Sequence, residues 1–250
     1  MISPAQSHLT TISDLEILLK LGFKINMHII EAVDFINAHF PNLNLVILSM
    51  ETESSLAKLN GQSGLLTRSV DLDNVVFPKL TFEVTNEDAT NPSTGLGIIR
   101  TFYSNKNELI VDHVFFVIPE AKRSQGVARC TFRLWVQQYI NMGVDKIRVC
   151  TGLSDGGYVW AINFFTADHR HEMDVILNNS KEILTDKQWN AMKKIYDHYY
   201  NDFPVGNAFP IVEWALLPFM KPILRGAYWD GTMNFNNSEQ ISNFIVYIFK

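Results

Sequence analysis

The sequence predicts an α/β protein with a mixed, mainly antiparallel sheet flanked by helices and an additional C-terminal lobe. Three observations predict it. Leu96 to Tyr103 and Glu108 to Ile118 are apolar-rich strands on either side of Ser104-Asn105-Lys106-Asn107, the pattern of an antiparallel hairpin. The apolar run Val111 to Ile118, a helical segment ending at Gly143 and the alternating stretch around Ile147 form a strand-helix-strand crossover, which brings in a parallel pairing. Helical periodicity then recurs at both ends of the chain, outside the strands.

Each element has a local signature. Ser13-Asp14-Leu15-Glu16 is a capping-box pattern opening a short helix that Gly22 ends. Ile29, Val33, Ile36 and Phe40 share a face before Pro41, which predicts a helix from about Asn26 to Phe40. Leu43 to Met50 reads as a strand and Leu80 to Val84 as another, followed by a polar connection from Asn86 to Gly95. Ala128, Phe132, Trp135, Tyr139 and Met142 recur at three- and four-residue spacing, a helix with one broad buried face. Ile147, Val149 and Thr151 alternate with Lys146, Arg148 and Cys150 until Gly152-Leu153-Ser154-Asp155-Gly156-Gly157 breaks the run. Thr185-Asp186-Lys187-Gln188 caps a helix lined by Trp189, Met192, Tyr196 and Tyr199. The prolines at 204, 210, 218 and 222 exclude long helices between Phe203 and Gly231, and Ser238 caps a last helix.

The most informative segment is Ala121-Lys122-Arg123-Ser124-Gln125-Gly126-Val127-Ala128, where a strand turns into a helix. A helix start presents unbonded N–H groups and the positive end of the helix dipole, a ready site for phosphate or pyrophosphate. Gly126 has no side chain to block a ligand, and Lys122, Arg123, Arg129 and Arg133 gather positive charge in a chain of net charge -5.

These residues resemble the coenzyme-A loop of the GNAT superfamily of N-acetyltransferases. Arg123-Ser124-Gln125-Gly126-Val127-Ala128 fits that family's Arg/Gln-x-x-Gly-x-Gly/Ala pattern, and Val117-Ile118-Pro119-Glu120 fits the Val-x-Pro-Glu that ends the strand before it. The resemblance covers roughly residues 80 to 167. Trp160-Ala161-Ile162-Asn163-Phe164-Phe165 stands where the family has Tyr-x-x-x-Gly-Phe, with Trp160 at the place of a tyrosine that often serves as general acid and Phe164 at the place of the glycine. The resemblance implies a GNAT-like acyl-CoA-binding core over residues 1–167, including the N-terminal helices, and a helical or irregular extension over 168–250. It implies acetyl-CoA as co-substrate, no metal, and an amine on a small molecule or a protein as acceptor. The backbone of Ser124, Gln125, Gly126, Val127 and Ala128, with Arg123 and Arg129 beside it, would hold the pyrophosphate. The strand edge at Phe116, Val117 and Ile118 would bond the pantetheine arm and polarise the thioester. Asp112 stands near the family's strand carboxylate and is the first choice of general base, Glu83 the second; Tyr158 is the hydroxyl nearest to the missing tyrosine.

Composition narrows the remaining classes. At 250 residues and 47% hydrophobic content the chain has ample material for a core. Its acidic balance argues against a nucleic-acid partner. Met1 to Thr11 lacks a basic region followed by a long apolar stretch, so a cytoplasmic protein without a membrane partner is expected. Cys130 and Cys150 form no disulfide framework and are expected as buried thiols. His169-Arg170-His171-Glu172 reads as a solvated loop rather than a zinc site, and Trp229-Asp230-Gly231 as a turn with its tryptophan anchored inside. No Gly-x-Ser-x-Gly elbow of a serine hydrolase occurs. Two alternatives stay open: a catalytically degenerate GNAT-like CoA-binding module, and a structural or protein-interaction module. Neither the acceptor nor the oligomeric state is written in the sequence.

Overall fold

The computed structural model describes residues 7–60, 66–91, 93–105, 108–123, 126–152, 155–204 and 208–249. The chain is α/β and divides into two compact units, Met1–Asp145 and Lys146–Lys250.

In the first unit, helices α1 (Ile12–Lys20), α2 (Ile29–His39), α3 (Leu45–Asn60) and α4 (Val127–Met142) accompany strands β1 (Lys24–Ile25), β2 (Leu66–Asp73), β3 (Lys79–Asn86), β4 (Gly97–Asn105) and β5 (Glu108–Val117). The strands lie in chain order, β1 parallel to β2 and every later pair antiparallel, so this sheet is mixed and mainly antiparallel. Side-chain alternation sorts its two faces. Val70, Leu72, Leu80, Phe82, Val84, Ile98, Phe102 and Val111 form the apolar face and are buried. Trp135 of α4 docks there, its ring 5.1 Å from Phe82 and 6.2 Å from Phe102, while its indole N–H donates to Thr52 of α3 at 3.2 Å.

Two N-terminal expectations shift. Leu43 to Met50 is not a strand: it runs into α3, whose buried Leu45, Leu48, Ser49, Thr52, Ser55 and Leu56 recur every three or four residues. A short continuous apolar run does not by itself tell helix from strand, and the packing of α3 against α1 and α4 decides it. The α1 capping box lies two residues earlier than Ser13. Thr11 caps the helix, its hydroxyl accepting the Asp14 N–H while the Asp14 carboxylate accepts the Thr11 N–H, which places Leu15 and Leu18 in the core.

The second unit has strands β6 (Lys146–Cys150), β7 (Thr166–Ala167) and β8 (Asp230–Asn234), with β8 between the other two and antiparallel to both. Around them are α5 (Gly156–Ile162), α6 (Arg170–Ser180), α7 (Asp186–Asp202), α8 (Val212–Ala215), α9 (Lys221–Arg225) and α10 (Ser238–Phe249). Trp229-Asp230-Gly231 is therefore not a turn but the entry to β8. Gly231 is required there because a Cβ would stand 2.3 Å from the Trp229 ring. His169 to Glu172 starts α6 rather than a solvated loop, and Glu172 is buried with a carboxylate oxygen accepting the Asp230 N–H at 3.0 Å. The buried stripe of α7 includes Tyr200 in place of Tyr199. At α10 the capping side chain is Asn237 rather than Ser238, accepting the Gln240 N–H at 3.1 Å.

Phe164, after α5, has φ 65, the left-handed conformation that a glycine adopts without cost. It is held there from outside: Gln240 donates to the Phe164 carbonyl at 2.9 Å and to the Thr232 carbonyl at 3.0 Å. Left-handed backbone costs a bulky L-residue roughly 1–2 kcal/mol. Phe164→Gly should therefore change unfolding free energy by no more than about 1 kcal/mol, strain relief offsetting the lost half-buried ring. Its neighbour Phe165 is fully buried against Trp160 and Phe244, and Phe165→Ala should cost about 3–5 kcal/mol. Urea titration of the two variants checks this contrast.

Candidate functional site

The loop expected to bind an anion sits at the end of β5. Val117 closes the strand, Pro119 leads into a single 3-10 turn, Glu120–Lys122, and Gly126 is the N-cap of α4. Gly126 has φ 77, and a Cβ built on it meets nothing within 4 Å, so conformation and not crowding selects glycine here. The first α4 turn bears no acidic residue, and among the described residues no side chain caps it. The Cys130 N–H is bonded to the Gly126 carbonyl at 3.0 Å, leaving the N–H groups before it outside the helix ladder. Ser124, Gln125 and the Val127 side chain lie outside the described residues.

The surrounding residues fall into distinct roles. Ala128 and Arg129 are exposed, as is Cys130. Lys122 and Arg123 are half-buried in the turn. Arg123 is more than a surface cation: its Nε donates to the Ile118 carbonyl at 3.0 Å and its Nη1 lies 3.9 Å from Glu120. It thereby ties the turn to the strand end. Both Cys130 and Cys150 are exposed and free, correcting the expectation of buried thiols; the Cys150 thiol donates to the Tyr228 hydroxyl at 3.2 Å. Apolar periodicity places a cysteine on an element, but the alternation at Cys150 puts it on the outer face opposite Ile147 and Val149.

Asp112 and Glu83 share the sheet face opposite Trp135. Asp112 pairs with Thr101, and Thr101 with Thr81, two residues before Glu83. The Thr81 and Thr101 hydroxyls meet at 3.2 Å, and Thr85 donates to Glu83 at 2.7 Å. Tyr158 belongs to α5 in the second unit, where the Lys221 ammonium stands 5.5 Å from its ring centre.

Sequence reasoning missed Arg100. It sits in the buried register of β4 between Ile98 and Phe102 and is only 1% exposed. A lone arginine on the apolar phase of a strand was the available signal. Its Nη1 donates to the Ile99 carbonyl at 2.9 Å and to the Phe115 carbonyl at 2.7 Å. The β4–β5 register shifts at this point: Ile99 pairs with Phe115 but Thr101 with Asp112, so His113 and Val114 together oppose Arg100. Burial pulls the Arg100 guanidinium down to about 10, and it stays protonated near neutral pH. His113 is also buried, its Nε2 hydrogen-bonded to the Tyr139 hydroxyl at 2.8 Å and its ring 5.3 Å from Phe132.

Among the described residues no cluster of three or more His, Cys, Asp and Glu side chains is arranged to hold a metal, and no helix is long and apolar enough to cross a membrane. No family model, curated protein or solved structure matches the chain.

Burial and the neighbouring Arg100 charge hold His113 well below its ordinary value of 6.5. The folded state then leaves His113 neutral while the unfolded chain takes up a proton as pH falls through 6.5, so stability present above that pH is lost below it. The expected slope approaches about 1.4 kcal/mol per pH unit for this one proton. Urea unfolding from pH 7.5 to 5 should show a shallower acid loss in His113→Gln than in wild type. Equal slopes would remove His113 as the origin.

Proposed function

We propose that the chain is an acyl-CoA-dependent N-acyltransferase, with acetyl-CoA as co-substrate and an amine on a small molecule or a protein as acceptor. One observation carries the reading: a strand, β5, ends in a turn whose left-handed glycine, Gly126, opens a sixteen-residue helix with no acidic residue in its first turn. That arrangement suits a pyrophosphate, which needs N–H donors, the positive helix end and room for close approach. Arg129 lies in that first turn, and Arg123 is anchored beside it by the Ile118 carbonyl. Phe164 stands where the resemblance places a glycine and has left-handed backbone, which glycine adopts without strain; that fits the GNAT resemblance. The exposed free thiols fit a reducing, cytoplasmic setting.

The amine nitrogen would form a C–N bond to the activated acyl carbon of the thioester as the C–S bond breaks, and coenzyme A would leave as its thiolate and take up a proton from solvent. A protonated amine is inert, so the protein must accept a proton before or during attack. Asp112 is the proposed base, on the strand that runs into the loop and five residues before its last residue, Val117. Glu83 on the same face is the reserve carboxylate. The strand end at Phe116 to Ile118 would bond the pantetheine arm, and the Gly126 turn the diphosphate.

Asn and Asp both tolerate left-handed backbone and have the same size, so paired variants at Gly126 separate charge from shape. Gly126→Asp should not lower the ligand-free melting temperature below that of Gly126→Asn, because a carboxylate is favourable at a helix N-terminus. It should nevertheless bind acetyl-CoA at least about tenfold more weakly, the cost of one unfavourable charge contact of about 1.4 kcal/mol. Calorimetric titration with acetyl-CoA decides it, and equal affinities would refute the anion site.

For the base, Asp112→Asn should keep acetyl-CoA affinity within about threefold and lower turnover of an amine panel roughly a hundredfold near neutral pH. The two rates should converge as pH rises and free amine accumulates. Wild-type turnover in the variant at every pH would transfer the role to Glu83.

A further inference from the structure

The Arg100 guanidinium is a buried cation that, among the described residues, pairs with no carboxylate. Burying an ion this way is costly, and removing the partners of such an ion costs more than its pairing returns. Its placement is specific. The Nη1 spends its hydrogen bonds on two backbone carbonyls at the register shift, the Phe115 contact being short at 2.7 Å, as charge-assisted bonds are. The guanidinium lies 5.7 Å from the Phe116 ring centre and 6.0 Å from that of Trp135, and among the described residues its Nε has no hydrogen-bond partner. A flat guanidinium over two ring faces has a shape and hydrogen-bonding fork that an ammonium group does not reproduce.

The peptide linking Phe115 to Phe116 is trans, as are all those described, so its N–H points opposite to its C=O. With the Phe115 carbonyl held toward Arg100 on β4, the Phe116 N–H is directed away from β4. A cation at the oxygen of a peptide withdraws electron density and strengthens its N–H as a donor. We propose that Arg100 is a positioning residue that orients and polarises the Phe115–Phe116 peptide, making the Phe116 N–H the donor to the acyl carbonyl oxygen. This inference rests on the acyl-CoA reading above and adds to it the residue that tunes the strand edge. Arg100 does not touch substrate; it acts through the peptide.

The test reads the carbonyl itself. Acetyl-CoA carrying carbon-13 at the thioester carbonyl is bound to saturation, and its stretching band is recorded by difference infrared spectroscopy. Wild type should shift the band to lower frequency; Arg100→Met should lose most of that shift at equal saturation, and Arg100→Lys should recover part of it. In turnover of the amine panel, Arg100→Met should lower kcat roughly tenfold or more and change KM for acetyl-CoA by less than about threefold. A purely structural arginine would alter stability or affinity and leave the band where wild type puts it, and that result overturns the inference alone. Failure of wild type to bind acetyl-CoA overturns the acyl-CoA reading and the inference with it. If Arg100→Met does not fold, wild type labelled with nitrogen-15 phenylalanine keeps the question open to measurement. The Phe116 amide proton, identified through Phe116→Leu, should move downfield with acetyl-CoA relative to coenzyme A. An unmoved resonance overturns the proposal.

Discussion

The first unit depends on the docking of Trp135. This fully buried indole packs on Phe82 and Phe102 of the sheet and donates its N–H to Thr52 of α3, so one side chain fastens a helix both to the sheet and to a second helix. A buried aromatic of this kind contributes on the order of 2–3 kcal/mol by area, with about 1 kcal/mol more for each well-oriented ring pair. Its consequence reaches the site. Because α4 is fixed on the sheet, its N-cap Gly126 is held with it, and the 3-10 turn Glu120–Lys122 follows the end of β5 along the chain. Arg123 then stiffens the turn through the Ile118 carbonyl.

The same interface carries the charged feature of the core. Trp135 forms one wall for Arg100, and Tyr139, one turn along α4, bonds His113 across from it. A histidine held neutral beside a guanidinium is the cheaper of the two protonation states, since a second positive charge in the same low-dielectric space would repel the first. The register shift in β5 and the placement of Arg100 are thus coupled. The shift sets two residues against one, and the guanidinium reaches the carbonyls that flank the irregularity.

In the second unit a polar side chain performs the comparable organising task. Gln240, on α10, accepts the Asn234 N–H and donates to the Phe164 and Thr232 carbonyls, joining β8, the end of α5 and the last helix. A left-handed phenylalanine persists because these bonds and the packing of Phe165 determine the backbone around it.

Much of this was legible in the chain itself. The alternation in Gly97–Asn105 and Glu108–Val117, the three-and-four spacing from Ala128 to Met142, the Gly126 and Gly143 boundaries and the Thr185 cap are local rules, and local rules are readable because each needs only a few adjacent residues. The residue pattern Arg123 to Ala128 is local in the same sense, whereas the shared face of Asp112 and Glu83 needs the register of β3, β4 and β5. Tertiary structure alone decided the rest. Leu43 to Met50 is settled as helix only by packing against α1 and α4, and Asp230–Asn234 becomes a strand only because β6 and β7 lie on either side. Arg100 reads in the sequence as one more cation; its bond to the Phe115 carbonyl and the register shift opposite it come from the pairing of β4 with β5, and no local pattern encodes which backbone atoms a buried charge will meet.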